Sequence, residues 1–235
     1  YLNASLFSLT YTSENVSLLP SLINTLIMTL VSLAIAAPVG IFAAIFLVEY
    51  AKKGSRFVKL IRITAETLSG IPSIVYGLFG MLFFVTALHW GMSLLSGALT
   101  MVIMVLPLIM RTAEEALKSV PDSYREASFG LGAGKLRTIF TIVLPSAVPG
   151  ILAGVILAIG RVVGETAALL YTSGTVAAVP NSLMGSGRTL ALHMYVLSSE
   201  GLHVNQASAT AVVILAFVLV INGLSGLVAR KIAKG

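Results

Sequence analysis

The sequence predicts an all-α membrane protein with five spans. Three observations predict it. First, 57% of the 235 residues are hydrophobic and only 10% are charged, where a soluble domain carries about 25%. Second, five apolar runs are each long enough to cross a bilayer, which takes about 20 helical residues. Third, thirteen of the fifteen lysines and arginines fall into alternate connecting segments. The period-2 alternation of a membrane barrel is missing.

The first run is Leu18–Val48, interrupted by Pro38. The second is Leu68–Leu88, where Gly70, Pro72, Gly77 and Gly80 predict a bent, closely packed span. The third is Leu94–Met110, with room to continue past Arg111. The fourth is Ser146–Tyr171, entered through Pro145 and Pro149, and the fifth is Ala207–Ala229. Lys52, Lys53, Arg56, Lys59 and Arg62 separate runs one and two. Arg111, Lys118, Arg125, Lys135 and Arg137 separate runs three and four, and Arg230, Lys231 and Lys234 follow run five. The positive-inside rule places all these segments in the cytoplasm. The chain begins at Tyr1, which this topology puts outside, so a further span upstream is expected.

Several function classes are poorly supported by composition. There is no cysteine, and His89, His193 and His203 show no ligand spacing, so no metal site is expected. Asp122 is the only aspartate, and no acid/base cluster suits an enzyme. The net charge of +6 fits loops facing anionic lipid, and nucleic acid is not expected as a partner. GLGAGK (130–135) has the look of a phosphate loop, but Phe129 stands where the first glycine is needed and Leu136 where Ser or Thr is needed.

The segment Glu114–Pro145 predicts a docking knob. Pro121 ends one helix, and Asp122 or Ser123 caps a helix from Ser123 to Phe129 that stops at Gly130 or Gly132. A second helix is expected from Ala133 to Pro145. An ordinary solvated loop is the plainer reading of the same composition. The spacing Glu126-Ala127-Ser128, three residues, Gly132, nine residues, Ile142-Val143-Leu144-Pro145 resembles the EAA loop of ABC-importer permeases, with Ser128 where alanine is usual.

The likeness extends to APVGIFAAIFLVEYAKKG (37–54), SGIPSIVYGLFG (69–80), YREASFGLGAGKLRTIFTIVLPSAVPGI (124–151) and GRVVGETAALLYTSG (160–174). Together these resemble the phosphate-specific ABC permeases, PstA and PstC, and PstA more than PstC. The resemblance implies a MetI-like type I ABC-importer transmembrane fold. It implies one permease domain over residues 1–235, with six spans in the full-length protein. It implies a coupling-helix region at 121–145 in which Glu126, Ala127, Ser128, Gly130, Gly132 and Ala133 meet the ATPase. It further implies no cofactor in this chain, because ATP and Mg are bound by PstB-like ATPase subunits. The other implied partners are a PstC-like permease and an extracytoplasmic PstS-like phosphate-binding protein. The implied location is a bacterial or archaeal cytoplasmic membrane, with the EAA loop and C-terminus inside.

Two arginines stand apart from the loop pattern. Arg161 lies in the fourth run with Glu165 four residues on. A charge at mid-membrane costs about 2.5–3.5 kcal/mol on insertion scales. Either the two residues cancel as an i, i+4 pair, or Arg161 meets an anion in the path while Glu165 tethers it. In phosphate permeases the corresponding pair is regarded as serving transport. Gly160 and Gly164 leave room for an ion or allow close packing; Gly150 and Gly154 favour packing. Arg188 lies in the outer segment, before a short amphipathic helix expected at Thr189–Leu197. It either attracts phosphate, pairs with a carboxylate of a delivering protein, or is a solvated loop charge. Glu49 is expected only to snorkel at the end of the first span.

Overall fold

A computed structural model describes residues 8–11, 16–52, 54–201 and 203–232; Tyr1, Lys53 and Lys234 lie outside them. Every regular element among the described residues is helical, as backbone groups in lipid require. Helix α1 (Leu19–Ile45) continues without a break through Pro38 into a π turn, Phe46–Tyr50. Helix α2 (Arg56–Ser69) is followed by a break at 70–72 and then by α3 (Ser73–Gly80), which ends in a second π turn, Met81–Ala87. The expected second span therefore starts later, because Pro72 lacks the N–H that would carry α2 onward. Helix α4 (Leu94–Lys118) passes Arg111, and α5 (Asp122–Gly130) follows Pro121.

Helix α6 (Lys135–Thr138), a third π turn (Ile139–Val143) and α7 (Leu144–Val163) form one continuous rod. Pro145 does not interrupt it. The wider π turn lies immediately before the ring, and the Ser146 hydroxyl donates to the Ile142 carbonyl at 2.7 Å. The fourth span stops at Val163 rather than Tyr171. Glycine at 164 and an unwound 165–166 separate it from a short helix, α8 (Ala167–Thr172). Helix α9 (Leu190–Glu200) and the long α10 (Val204–Ile232) complete the chain. Four helical segments are long and apolar enough to cross a membrane: 19–50, 94–118, 135–163 and 204–224. A fifth appears if the helices on either side of the 70–72 break make one span.

The residues sort into two compact units. The first consists of 1–34, 71–104 and 159–220. In it α8 is clamped by glycines. A β-carbon on Gly77 would lie 2.8 Å from the Ala168 Cα, and one on Gly80 would strike Thr100 and Thr172. One on Gly97 would lie 2.8 Å from Met28 and 3.0 Å from Ser173. Helix α9 departs from the amphipathic helix expected at the mouth. Leu190, Ala191, Leu192, His193 and Leu197 are all buried, so more than one face is covered.

The second unit consists of 35–70, 105–158 and 221–235. Its core is formed by Ala44, Ile45 and Leu47 of the first span, Val58 of α2, Met110, Ala113 and Leu117 of α4, and Ile139, Val143, Ala147 and Ile151 of the rod 135–163. Small residues let α4 and α7 meet closely. A β-carbon on Gly150 would be 2.7 Å from the Ala116 Cβ, and one on Gly154 would overlap Thr112. Inserting a side chain into such a contact costs typically about 1–3 kcal/mol. We therefore expect Gly154→Leu to lower the thermal-inactivation temperature of the detergent-purified protein. Gly223→Ala, placed where a β-carbon meets nothing within 4 Å, is the control and leaves it in place.

Candidate functional site

Arg161 lies in the last turn of α7 and is exposed. Glu165 lies beyond the end of that helix, so the i, i+4 geometry of a continuous helix does not hold. Its side chain turns inward instead. Glu165 is 9% exposed, and its Oε1 accepts the Ala168 backbone N–H at 3.0 Å. That bond satisfies an otherwise free donor in the first turn of α8, and the carboxylate complements the positive end of the helix. Arg161 and Glu165 form no ion pair; the expected tether is absent. Gly164 just after Val163 and Thr166 before Ala167 are the signals for this break, but inside a long apolar run the spacing of four between the charges reads more readily as one continuous helix. Beside Arg161, a β-carbon on Gly160 would meet nothing within 4 Å. The glycine leaves space rather than packing a neighbour, in contrast with Gly150 and Gly154. The result is an accessible guanidinium that no carboxylate of the described residues neutralises, beside open space, with α8 just after it.

Arg188 is buried, at 4% exposed, and is not a solvated loop charge. Its guanidinium carbon lies 4.6 Å from the centre of the Tyr11 ring. Its backbone is fixed on both sides: the Arg188 N–H donates to the Val176 carbonyl, and Asn24 Nδ2 donates to the Arg188 carbonyl at 3.2 Å.

Segment 121–145 belongs to the second unit and has a defined shape. Helix α5 ends in a glycine turn. Gly132 has φ +81°, its N–H donates to the Phe129 carbonyl, and the Ala133 N–H donates to the Ser128 carbonyl. This is a Schellman closure, which is why a glycine is needed there. Ser128 is buried, and its hydroxyl is 2.8 Å from that of Thr138, joining α5 to α6. A hydroxyl at this position thus performs a bond that alanine could not. Glu126, Ala127 and Gly130 face outward, Ala133 is half-buried, and Leu131 at the tip is 90% exposed.

Beneath the knob lies an arrangement that the sequence did not disclose. Arg125 is mostly buried and makes five bonds. Its Nε and Nη2 donate to Glu49 Oε1 at 3.1 and 2.8 Å. It also donates to the carbonyls of Val120 (2.8 Å) and Leu117 (3.0 Å), and to Asp122 at 3.2 Å. Glu49 does not snorkel: its side chain is 8% exposed and is committed to Arg125. Arg125 therefore joins α5 to the end of α4 and to the π turn that ends the first span. Nearby, Glu114 is held by Arg62 and Lys118, each at 2.6 Å, and Lys135 Nζ sits 4.9 Å over the Tyr50 ring. The only signal for the Glu49–Arg125 pair was an acid at the end of an apolar run, and residue spacing could not supply its partner 76 positions away.

The binding-protein-dependent transport system inner membrane component family matches residues 36–234. The chain is 34% identical over 231 residues to a probable ABC transporter permease, YqgI, of Bacillus subtilis, covering 90% of this chain and 78% of that one. It is 42% identical over 154 residues to the phosphate transport system permease protein PstA 1 of Mycobacterium tuberculosis, covering 66% of this chain and 50% of the relative. A PstA homolog of Mycoplasma pneumoniae is 36% identical over 214 residues, with 87% and 33% covered. The chain thus spans half or less of the length of these last two relatives. Among solved structures, a bacterial alginate ABC transporter aligns with TM-score 0.72 at 18% identity, over 98% of this chain and 83% of that one. An inward-facing MetNI methionine ABC transporter aligns with TM-score 0.69, over 91% and 93%. These two carry the fold alone. Helical architecture and family match together make the chain a multi-pass member of the binding-protein-dependent transport system inner membrane components, the permeases of ABC transporters.

Proposed function

We propose that this chain is the permease subunit of an ATP-driven importer that moves inorganic phosphate across the cytoplasmic membrane by alternating access. The observation that carries the proposal is Arg161. It is an exposed arginine at the end of a spanning helix, without a carboxylate partner among the described residues, beside the open space left by Gly160. An intramembrane charge of this kind marks a path for an ion of opposite sign. The names of the PstA relatives support phosphate over sulfate or molybdate.

In this reading the segment 121–145 faces the cytoplasm. Its outward residues, Glu126, Ala127 and Gly130, with half-buried Ala133 and with Leu131 at the tip, dock in a PstB-like ATPase. Ser128 and Gly132 act from within, fixing the angle between α5 and α6. A PstC-like permease completes the path, and a PstS-like protein delivers phosphate from outside. ATP and Mg belong to the ATPase pair; this chain performs no covalent chemistry. Movement of the knob reaches the membrane through Arg125 and its bonds to α4 and the first span. Arg161, with Arg188 further along the chain, contacts the anion differently in the two states, which is what lets binding bias the change. Glu165 serves the path indirectly by holding α8.

Three outcomes are expected of the reconstituted importer. Arg161→Gln lowers ATP-dependent phosphate uptake by about tenfold or more, the weight of a charge-assisted hydrogen bond; near-normal uptake at equal assembly would sink the role of Arg161. Glu165→Gln, which keeps an acceptor for the Ala168 N–H, retains most uptake, while Glu165→Leu loses about 0.5–2 kcal/mol of stability with its cap. Equal damage by both would assign the carboxylate's charge to transport itself. Glu126→Ala combined with Leu131→Asp abolishes co-purification of the ATPase without changing thermal stability, because both side chains are exposed. Retention of the ATPase by this double variant would move the docking surface elsewhere.

A further inference from the structure

A buried charge in the first unit is left over from the packing. Among the described residues Arg188 Nε and Nη2 have no acceptor, and no carboxylate pairs with the guanidinium. Burying a cation without a counter-charge is strongly unfavourable. The Tyr11 ring at 4.6 Å offsets only part of this. That same ring meets His193 edge-on, with centroids 6.2 Å apart, so Arg188 and His193 stand on one aromatic platform. His193 is fully buried, and both its ring nitrogens lack partners among the described residues. Burial, reinforced by the Arg188 charge, pushes its pKa down to about 3, so the imidazole is neutral at physiological pH. One nitrogen then donates and the other only accepts.

The surroundings are polar and fixed. Thr189 Oγ1 and, from α1, Ser21 Oγ and Asn24 Oδ1 are also buried without partners. Asn24 Nδ2 donates to the carbonyls of Ala178 and Arg188, and the Leu190 N–H donates to Thr25 Oγ1. A β-carbon on Gly187 would lie 2.7 Å from the Asn24 amide, so the loop is pressed onto α1. The unsatisfied groups are therefore held in place by bonds that do not use them.

We infer that Arg188 and His193 form a second anion contact besides Arg161, one that takes a tetrahedral oxyanion still carrying a proton. The inference rests on the phosphate reading given above and deepens it. Nε and Nη2 offer two adjacent donors to two oxygens of the anion. The accepting nitrogen of His193 takes the hydrogen bond of a P–OH group. Hydrogen phosphate supplies both the negative charge and that proton. Sulfate, which has no proton at neutral pH, leaves the histidine nitrogen unsatisfied, and sites built to bond a hydroxyl discriminate strongly against analogues lacking one.

The test uses the purified permease complex and inorganic anions alone. Thermal inactivation is followed against potassium phosphate and potassium sulfate at matched ionic strength, beside ATP-dependent phosphate uptake in proteoliposomes. Phosphate is expected to protect the wild type at concentrations at least about tenfold lower than sulfate. Arg188→Gln weakens protection by both anions by about tenfold or more, leaving what Arg161 alone provides. His193→Phe, which keeps a ring against Tyr11, abolishes the preference by bringing phosphate protection down to the sulfate level. Equal protection of the wild type by both anions, or unchanged preference in His193→Phe, overturns the site; with phosphate uptake intact, the proposed function survives that failure. Protection with the expected pattern but no phosphate uptake by the wild type retains the anion site and overturns the proposed function instead.

Discussion

A single guanidinium holds the α5–α6 knob to the neighbouring helices. Arg125 satisfies two carbonyls at the end of α4, where a helix has no internal donors left, and at the same time neutralises Glu49 on the first span. With side chains only 14% and 8% exposed, the pair is shielded from the screening that makes surface ion pairs weak. Removing one partner of such a pair costs about 3–5 kcal/mol, mainly because a buried charge is stranded. The knob is thus a rigid outgrowth of the second unit, joined to its core through Ile139 and Val143 and to its charges through Arg125.

Much of this arrangement was legible in the residues. Long apolar runs fixed the helices, because lipid permits little else. The Pro121 and Gly132 positions fixed the shape of the knob, since one lacks a donor and the other alone accepts a positive φ cheaply. The close fit predicted from Gly150 and Gly154 is met by Thr112 and Ala116. What resisted reading has a common cause. Glu49 with Arg125, and Arg188 with Tyr11, are contacts between residues far apart in the chain, and periodicity carries no information about which distant side chain completes a charge.

The candidate site was half legible for a different reason. Arg161 and Glu165 are conspicuous in an apolar run, and the spacing of four invites a pair. The helix stops between them. A carboxylate near the start of a short helix has a nearer demand to meet, the free N–H of Ala168, and that demand takes it from the arginine. Local backbone need outranked charge pairing, leaving Arg161 available to a ligand.

The π turn at Phe46–Tyr50 carries a consequence for how the first span is counted. A π turn is one surplus residue absorbed into a helix, and it advances the phase of everything after it. Glu49 sits inside that surplus turn. Its direction is therefore set by chain length rather than by side-chain chemistry. Losing Phe46, Leu47 or Val48 would let the turn revert to an ordinary helix and rotate the carboxylate by about 100°. The acid would still be present in the sequence, facing the wrong way. Homologous positions in this stretch are best aligned by the turn, and not by matching acids column for column.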